Sequence, residues 1–312
     1  MMHDSNRKIV LVTQKTRLEN LIQRYNTLGQ AQFYIEHNGG DFTDYQAEHD
    51  VYHRALRAAV SCLENCGRVQ LLDRDYVPNY LFGKQDLVVA LGRDGLVANV
   101  LKYLQEGQQL IGVNPDPRRW DGQLLPFQPE DLNKIVPEAL RGIRQAQAIT
   151  LAKATLNDGQ VLYGVNDLFI GQQTHASARY EIRQNRMQEI QSSSGIIVST
   201  GLGATGWLKS VLAGAAGIAR FCGADRNLQL QCALDRSAPE LYYTVREPYP
   251  SASTGAGMVF GRITADAPLT IVSNMPENGV IFSDGMEQDY LQFNSGSIVT
   301  IGIADQKGYL VV

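Results

Sequence analysis

The run SSSGIIVSTGLGATGWLKSVLAGAAG, Ser192–Gly217, decides how the second half of the chain is read. A β-rich stretch precedes Gly201, Gly203 and Gly206 in G-x-G-x-x-G spacing, and an apolar, helix-compatible run follows them. A dinucleotide fingerprint of this spacing belongs after the first strand of a βαβ unit, with an acidic residue closing the second strand about 20 residues on. Asp225 stands near that distance, but the intervening GIARFCGAD does not read as a buried strand, and the neighbouring β sequence looks antiparallel. The Rossmann fingerprint is therefore set aside. The physics of the loop remains: glycines let backbone N–H groups approach an anion, and a helix N-terminus favours negative charge. Ser199, Thr200 and Thr205 add hydroxyls at the same place. A plain strand-to-helix turn capped by hydroxyls accounts for the same residues equally well.

Outward from this loop, residues 147–198 read as short β-prone runs such as ITLAKATLN, QVLYGVNDLFIG and SARYEIRQ. The tail returns to strands in LTIVSN, GVIFSDG, YLQF and SIVTIGI. The N-terminal part differs. KIVLVT (8–13), RVQLLD (68–73), DLVVALG (86–92) and QLIGVN (109–114) are expected strands. Tyr52, Leu56, Ala59, Val60 and Leu63 repeat at helical spacing within 42–66, and 94–106 is a further expected helix. Alternating strands and helices imply parallel pairing with right-handed crossovers. The Pro-rich, polar stretch 114–140 is expected to mark a boundary. The fold class is thus α/β. An N-terminal open, Rossmann-like α/β domain is expected over 1–140, and a mostly β C-terminal domain with one embedded helix over 141–312. The last strands of the second domain are expected to pack back on the first.

The 312 residues, 44% of them hydrophobic, suffice for one large or two medium domains. A net charge of −4 gives no electrostatic reason to expect a nucleic-acid partner. No apolar run approaches the ~18 residues a membrane span needs. The opening MMHDSNRKIVLV resembles neither a signal nor a transit peptide, so a cytoplasmic protein is expected. Cys62, Cys66, Cys222 and Cys232 read as free thiols. His49 and His53 stand four apart on an expected helix, but with no third ligand in view they read as surface residues, and no metal site of the protein's own is expected.

A second loop follows DLVVAL: Gly92-Arg93-Asp94-Gly95, then LVANVLKYL. It sets an acidic residue in a tight turn at the carboxyl end of a strand, where open α/β sheets bind ligands. Alone, an Asp there reads as a helix cap.

Together these pieces resemble the NAD kinase family. VVALGRDGLVANVL is similar to that family's strand running into Gly-Gly-Asp-Gly and a helix. IGVNPDPRRWDGQL is similar to its Gly-x-Asn stretch, in the form of the mitochondrial-type branch. NDLFIG (166–171) resembles the Asn-Glu/Asp motif, the Ser192–Gly217 run resembles the Gly-Ser/Ala-Thr-Ala-Tyr/Trp loop, and FSDGMEQ resembles the family's Asp-Gly turn. KTRLENL and YYTVREPYP also have counterparts in the mitochondrial-type branch. The resemblance runs in order along nearly the whole chain. It implies a two-domain kinase moving the γ-phosphoryl group of ATP to the 2′-hydroxyl of the adenosine ribose of NAD, with the active site between the domains. Asp94 would orient or deprotonate the accepting hydroxyl, a role worth roughly 10²–10⁴ in rate. Gly92, Arg93, Gly95 and Asn114 would lie against nucleotide phosphates. Asn166, Asp167, Ser199, Thr200, Gly203, Thr205, Gly206 and Ser210 would bind NAD. Mg²⁺ would come with ATP, bridging its phosphates, and the chain would act as a homodimer or higher homo-oligomer.

The match departs from the family at Arg93, in place of the second signature Gly, and at Leu96, in place of the usual Thr. Were φ positive at residue 93, Arg would cost roughly 1–2 kcal/mol of strain. Its side chain would then either occupy phosphate space or supply a guanidinium to the triphosphate. Ser194 stands where many members carry Asp. Two alternatives stay open: a catalytically silenced nucleotide-binding homologue, and a kinase of the same superfamily acting on a lipid hydroxyl.

Overall fold

Residues Ile9–Val12 are entirely buried, and a strand whose every side chain is covered belongs inside a parallel sheet flanked on both faces. They are the centre of β1 (Lys8–Thr13). The computed structural model describes residues 7–232 and 234–312. These divide into two compact units, one holding the described residues up to Gln147 together with Tyr309–Val312, the other Ala148–Gly308.

In the first unit, β1 is followed by α1 (Arg17–Tyr25), α2 (Leu28–His37), α3 (Phe42–Glu64), β2 (Arg68–Asp73), β3 (Leu87–Leu91), α4 (Asp94–Leu101), β4 (Gln109–Val113) and α5 (Leu132–Leu140). The strands lie in the order β2-β1-β3-β4, all parallel, and Tyr309 and Leu310 continue the sheet beside Gln109 and Leu110. This is a doubly wound order whose direction of winding reverses between β1 and β3, the switch point where such sheets bind ligands. One face packs Ile9, Leu11, Val89, Leu91, Ile111 and Val113 against Tyr52, Ala55, Ala59 and Leu63 of α3 and Leu132, Ile135, Val136 and Ala139 of α5.

One expectation needs correction here. The helix predicted over 94–106 ends at Leu101. The stretch 114–140, expected to lie inside the first domain at its boundary, carries α5, which its apolar residues at helical spacing build over the sheet, and the first unit runs on to Gln147.

The second unit contains β5 (Ala146–Leu156, its first two residues in the first unit), β6 (Val161–Gly164), β7 (Asp167–Gln172), β8 (Ala178–Gln184), β9 (Met187–Ser193) and β10 (Ile196–Ser199). After these come α6 (Trp207–Phe221), β11 (Leu241–Val245), β12 (Phe260–Ile263), β13 (Leu269–Ser273), β14 (Gly279–Ser283), β15 (Met286–Gln292) and β16 (Ile298–Val311, which passes into the first unit at Tyr309). One antiparallel sheet runs β12-β11-β10-β7-β14-β15, and β16-β13-β8-β9, with β5 and β6, forms the other pairing set. Their inward residues share one core, among them Leu168, Ile170, Tyr180, Ile196, Val198, Ile271, Ile281 and Phe293. The strand before the glycine loop, β10, is antiparallel to both its neighbours, β7 and β11. That pairing excludes a βαβ fingerprint, and GIARFCGAD forms the end of α6 and the turn after it. Among the described residues no helix is long and apolar enough to cross a membrane.

Candidate functional site

In the first unit the ends of β1, β3 and β4 converge on Asp94. Gly92 follows β3 directly and is buried against Leu96 and Gln14, so a side chain there would collide with both. Asp94 opens α4, where a carboxylate complements the helix dipole. Its Oδ1 accepts the N–H of Leu124 at 2.8 Å and its Oδ2 that of Gln123 at 3.3 Å, which holds the carboxylate in one orientation. Gly95 is exposed with open space beside it. Tyr52 ties two strand ends together at the switch point: its hydroxyl accepts from Gln14 N–H at 3.0 Å and donates to the Leu91 carbonyl at 3.2 Å. Burial pushes the Tyr52 phenol well above the ordinary tyrosine range, so it stays a neutral donor.

Arg93 has φ −113° and ψ 167°, an extended conformation open to any residue, so the strain expected for a positive φ does not arise. Its guanidinium donates to Glu48 at 2.9 Å and lies over the Trp120 ring, 3.9 Å from the centroid. Glu48, buried on α3, also pairs with Arg17. One turn earlier, Asp44 accepts from Arg119 at 2.7 Å and Arg17 at 2.6 Å, and these two cations hold its carboxyl down at about 2. Two carboxylates of α3 thus gather three arginines beside the Asp94 turn. The Asn114 amide donates to the Trp120 carbonyl at 2.9 Å and its Oδ1 accepts from Asp116 N–H at 3.0 Å, which braces the 114–120 loop. These bonds use one of its two amide N–H groups. Leu96, the second departure, is buried under the turn.

In the second unit the organising group is Asp284, which sequence reasoning saw only as part of an Asp-Gly turn. Asp284 and Gly285 have φ 54° and 68°, the left-handed pair a two-residue hairpin between β14 and β15 requires. The turn aims the Asp284 carboxylate at the segment entering β7, where it accepts N–H bonds from Asn166 at 2.6 Å, Val165 at 3.0 Å and Asp167 at 3.3 Å. Asp167 itself is buried, and its side chain has no hydrogen-bond partner among the described residues. Burial, with the Asp284 charge adding to it, pushes the Asp167 carboxyl up to about 7. The side-chain amide of Asn166 is half-buried and likewise forms no hydrogen bond among the described residues, leaving both its donor and its acceptor available.

The glycine loop packs on this segment. Thr200 donates its hydroxyl to the Val165 carbonyl at 2.6 Å, and its N–H bonds the Asn166 carbonyl at 2.9 Å. A side chain at Gly203 would run into that same Asn166 carbonyl, and one at Gly201 into the Asp235 carbonyl. Two of the three spaced glycines therefore serve close backbone packing. Gly206 is exposed and unconstrained. The hydroxyls of Ser199, Thr205 and Ser210 donate to the carbonyls of Thr200, Leu202 and Gly206. Ser194 is exposed.

The sequence reading also missed a cavity of about 210 Å³ beside this loop, lined by Phe169, Trp207, Arg246, Phe282 and Tyr290. Phe169 stacks on Phe282 at 4.8 Å and on Trp207 at 6.0 Å, and the Arg246 guanidinium stands 5.6 Å from the Trp207 ring. One signal was available: Phe169 is two residues past Asp167 on β7, so both project from the same face. Its partners come from β14 and from the start of α6, and no spacing rule links them.

An open α/β unit with a parallel sheet, followed by a largely antiparallel β unit, is also the fold of solved NAD kinases. The structure aligns with an NAD kinase from Archaeoglobus fulgidus in complex with ATP at a TM-score of 0.56 and 15% identity, over 97% of this chain and 93% of that one. It aligns with yeast NADH kinase complexed with NADH at 0.57 and 14%, over 99% and 84%. In sequence, the chain is 25% identical over 223 residues to a probable NADH kinase from Oryza sativa subsp. japonica, 64% of this chain and 63% of that protein. The match thus spans less than two thirds of that relative's length. No family model matches the chain. The likeness to the NAD kinase family is carried by fold over nearly the whole chain and by sequence over part of it.

Proposed function

We propose that the chain is an ATP-dependent NAD kinase that phosphorylates the 2′-hydroxyl of the adenosine ribose of NAD to give NADP. The observation that carries this reading is the Asp94 carboxylate, oriented by two backbone N–H groups at the start of α4 and the carboxyl end of β3. In the transfer, the ribose 2′-oxygen bonds to the γ-phosphorus, the bond from that phosphorus to the β–γ bridging oxygen breaks, and Asp94 takes the hydroxyl proton. The remaining rate comes from alignment and charge stabilisation. Mg²⁺ enters as part of the Mg·ATP substrate. Its charge would be held mainly by the phosphates of ATP.

Asn166 supplies an amide donor and acceptor to a ribose edge, and Asp167 a carboxyl that changes protonation near neutrality. The cavity of Phe169, Trp207 and Phe282 is sized and shaped for a planar heterocycle, with Arg246 available to a phosphate. The similarity to proteins named NADH kinases supports NADH as a competing acceptor. Assembly as a homodimer or higher oligomer and a cytoplasmic location are parts of the same reading.

One observation favours a second reading, a silenced nucleotide binder: the Arg93 guanidinium occupies the signature turn, bonded to Glu48 and stacked on Trp120. Purified protein with Mg·ATP and either NAD or NADH, followed by an NADP-specific dehydrogenase, separates the two. Turnover abolished by Asp94→Asn supports the kinase. Saturable NAD binding without product, and product restored by Arg93→Gly, supports the silenced form. Turnover on a lipid alcohol alone overturns both.

A further inference from the structure

Glu19 on α1 and His49 and His53 on α3 meet outside the site described above. One donor atom from each lies within 4.8 Å of the other two. His49 and His53 stand one helical turn apart, so both rings leave the same face of α3, with centroids 4.3 Å apart. Glu19 Oε1 is 3.0 Å from His53 Nε2. That separation suits neighbouring ligands on an ion bound at about 2.0–2.1 Å.

The three donors are braced from behind. Thr16 N–H donates to Glu19 Oε2 at 2.7 Å, which leaves Oε1 turned toward the imidazoles. Thr16 Oγ1 lies 3.0 Å from His49 Nδ1 and fixes that ring. Tyr52 meets the His53 ring edge-on at 5.8 Å. Such outer partners, which orient ligands and set their tautomers, accompany metal-binding histidines. A capping box explains Thr16 and Glu19 Oε2. It gives no reason for two imidazoles gathered at the other carboxylate oxygen. The group opens on a cavity of about 480 Å³ that Asp50, Arg54 and Arg57 also line, so a fourth position is accessible to water or a small anion.

We propose that Glu19, His49 and His53 bind a divalent transition-metal ion of the zinc class, through two imidazole nitrogens and one carboxylate oxygen, tying α1 to α3. Imidazole suits zinc, copper, nickel and iron, whereas magnesium and calcium prefer all-oxygen sites. The fourth position stays open.

The test uses the full chain, stripped with a chelator, titrated with Zn²⁺ by calorimetry and with Co²⁺ by visible absorption. One saturable equivalent, a d–d spectrum of low-coordinate Co²⁺ and a raised thermal midpoint are expected. Outer partners alone are worth about 10–100-fold in metal affinity, so Glu19→Gln should weaken binding at least as much. The His49→Ala/His53→Ala variant should lose the site, and Cys62→Ser/Cys66→Ser should retain it. Should the double histidine variant fail to fold, His49→Gln alone must still remove the Co²⁺ spectrum. Absence of saturable binding, binding untouched by the histidine changes, or binding lost with the thiols each overturns the proposal.

Discussion

Asp284 and Asn166 lie 118 residues apart in sequence, yet the Asp284 carboxylate accepts the Asn166 N–H at 2.6 Å. With the Val165 and Asp167 N–H groups on the same carboxylate, one side chain shapes the whole entry to β7. Charge-assisted bonds of this kind are about twice as strong as neutral ones. Asp284→Ala should therefore cost roughly 2–4 kcal/mol in denaturant unfolding and weaken NAD binding by at least tenfold, read by calorimetry. Asp284→Asn, which tolerates the left-handed turn, should lose less of both. Unchanged NAD affinity in the Ala variant would dissociate this loop from the nucleotide.

The neighbouring carboxyl makes stability depend on pH. Asp167 sits at about 7 in the folded chain, against an ordinary 3.8. Its folded form holds a proton that the unfolded form has released, so its contribution is full below pH 3.8 and is lost as pH rises to about 7. Asp167→Asn removes that loss. The variant should be more stable than the parent at pH 8, by on the order of 1–4 kcal/mol, and the difference should close toward pH 4. Parallel stability–pH curves for the two proteins would show that Asp167 titrates normally.

Within the quoted glycine loop, two positions should answer oppositely to the same change. Gly203→Ala drives a methyl into the Asn166 carbonyl and should cost about 1–3 kcal/mol or more, with loss of NAD binding. At Gly206 the nearest atom to an added Cβ is 3.5 Å away, an ordinary contact. Gly206→Ala should therefore fold within about 0.5 kcal/mol of the parent. Equal stabilities of the two variants would contradict the packing described here.

Arg93 should matter for activity far more than for folding. Its side chain is 39% exposed, and the buried Glu48 keeps its pairing with Arg17 when Arg93 is lost, so the cost to folding should be about 1 kcal/mol. Arg93→Gly should leave the unfolding midpoint nearly unchanged while lowering kcat/KM for ATP about tenfold. A rise in turnover would instead identify the guanidinium as a block. Asp94→Asn should lower kcat by about 10²-fold or more without changing NAD affinity.

One buried group lies outside these networks. Both polar atoms of the Asn99 side chain on α4 are buried without a partner among the described residues. Asn99→Leu, which keeps the branched side-chain skeleton, removes that desolvation cost and should stabilise the chain by roughly 1 kcal/mol in chemical denaturation. A loss of stability with unchanged activity would mean that the amide is satisfied in solution.

Much of this protein was legible in the residues alone. Unbroken apolar runs such as Ile9–Val12 must be buried on both faces, periodicity placed α3, and the apolar run after the glycines marked α6. The glycine turns were visible because local backbone geometry restricts which residues can stand there, and the Asn166-Asp167 pair was visible only through the family resemblance. The helix α5 within 114–140 was not read, because proline content outweighed the helical repeat of Leu132, Ile135, Val136 and Ala139. Tertiary structure alone decided the rest. It gave Asp284 its three N–H donors, gathered Phe169, Trp207 and Phe282 into one cavity, turned Arg93 onto Trp120 and brought Glu19 to His53. Each of these joins residues far apart along the chain, set by strand register and helix packing, which side-chain spacing does not encode.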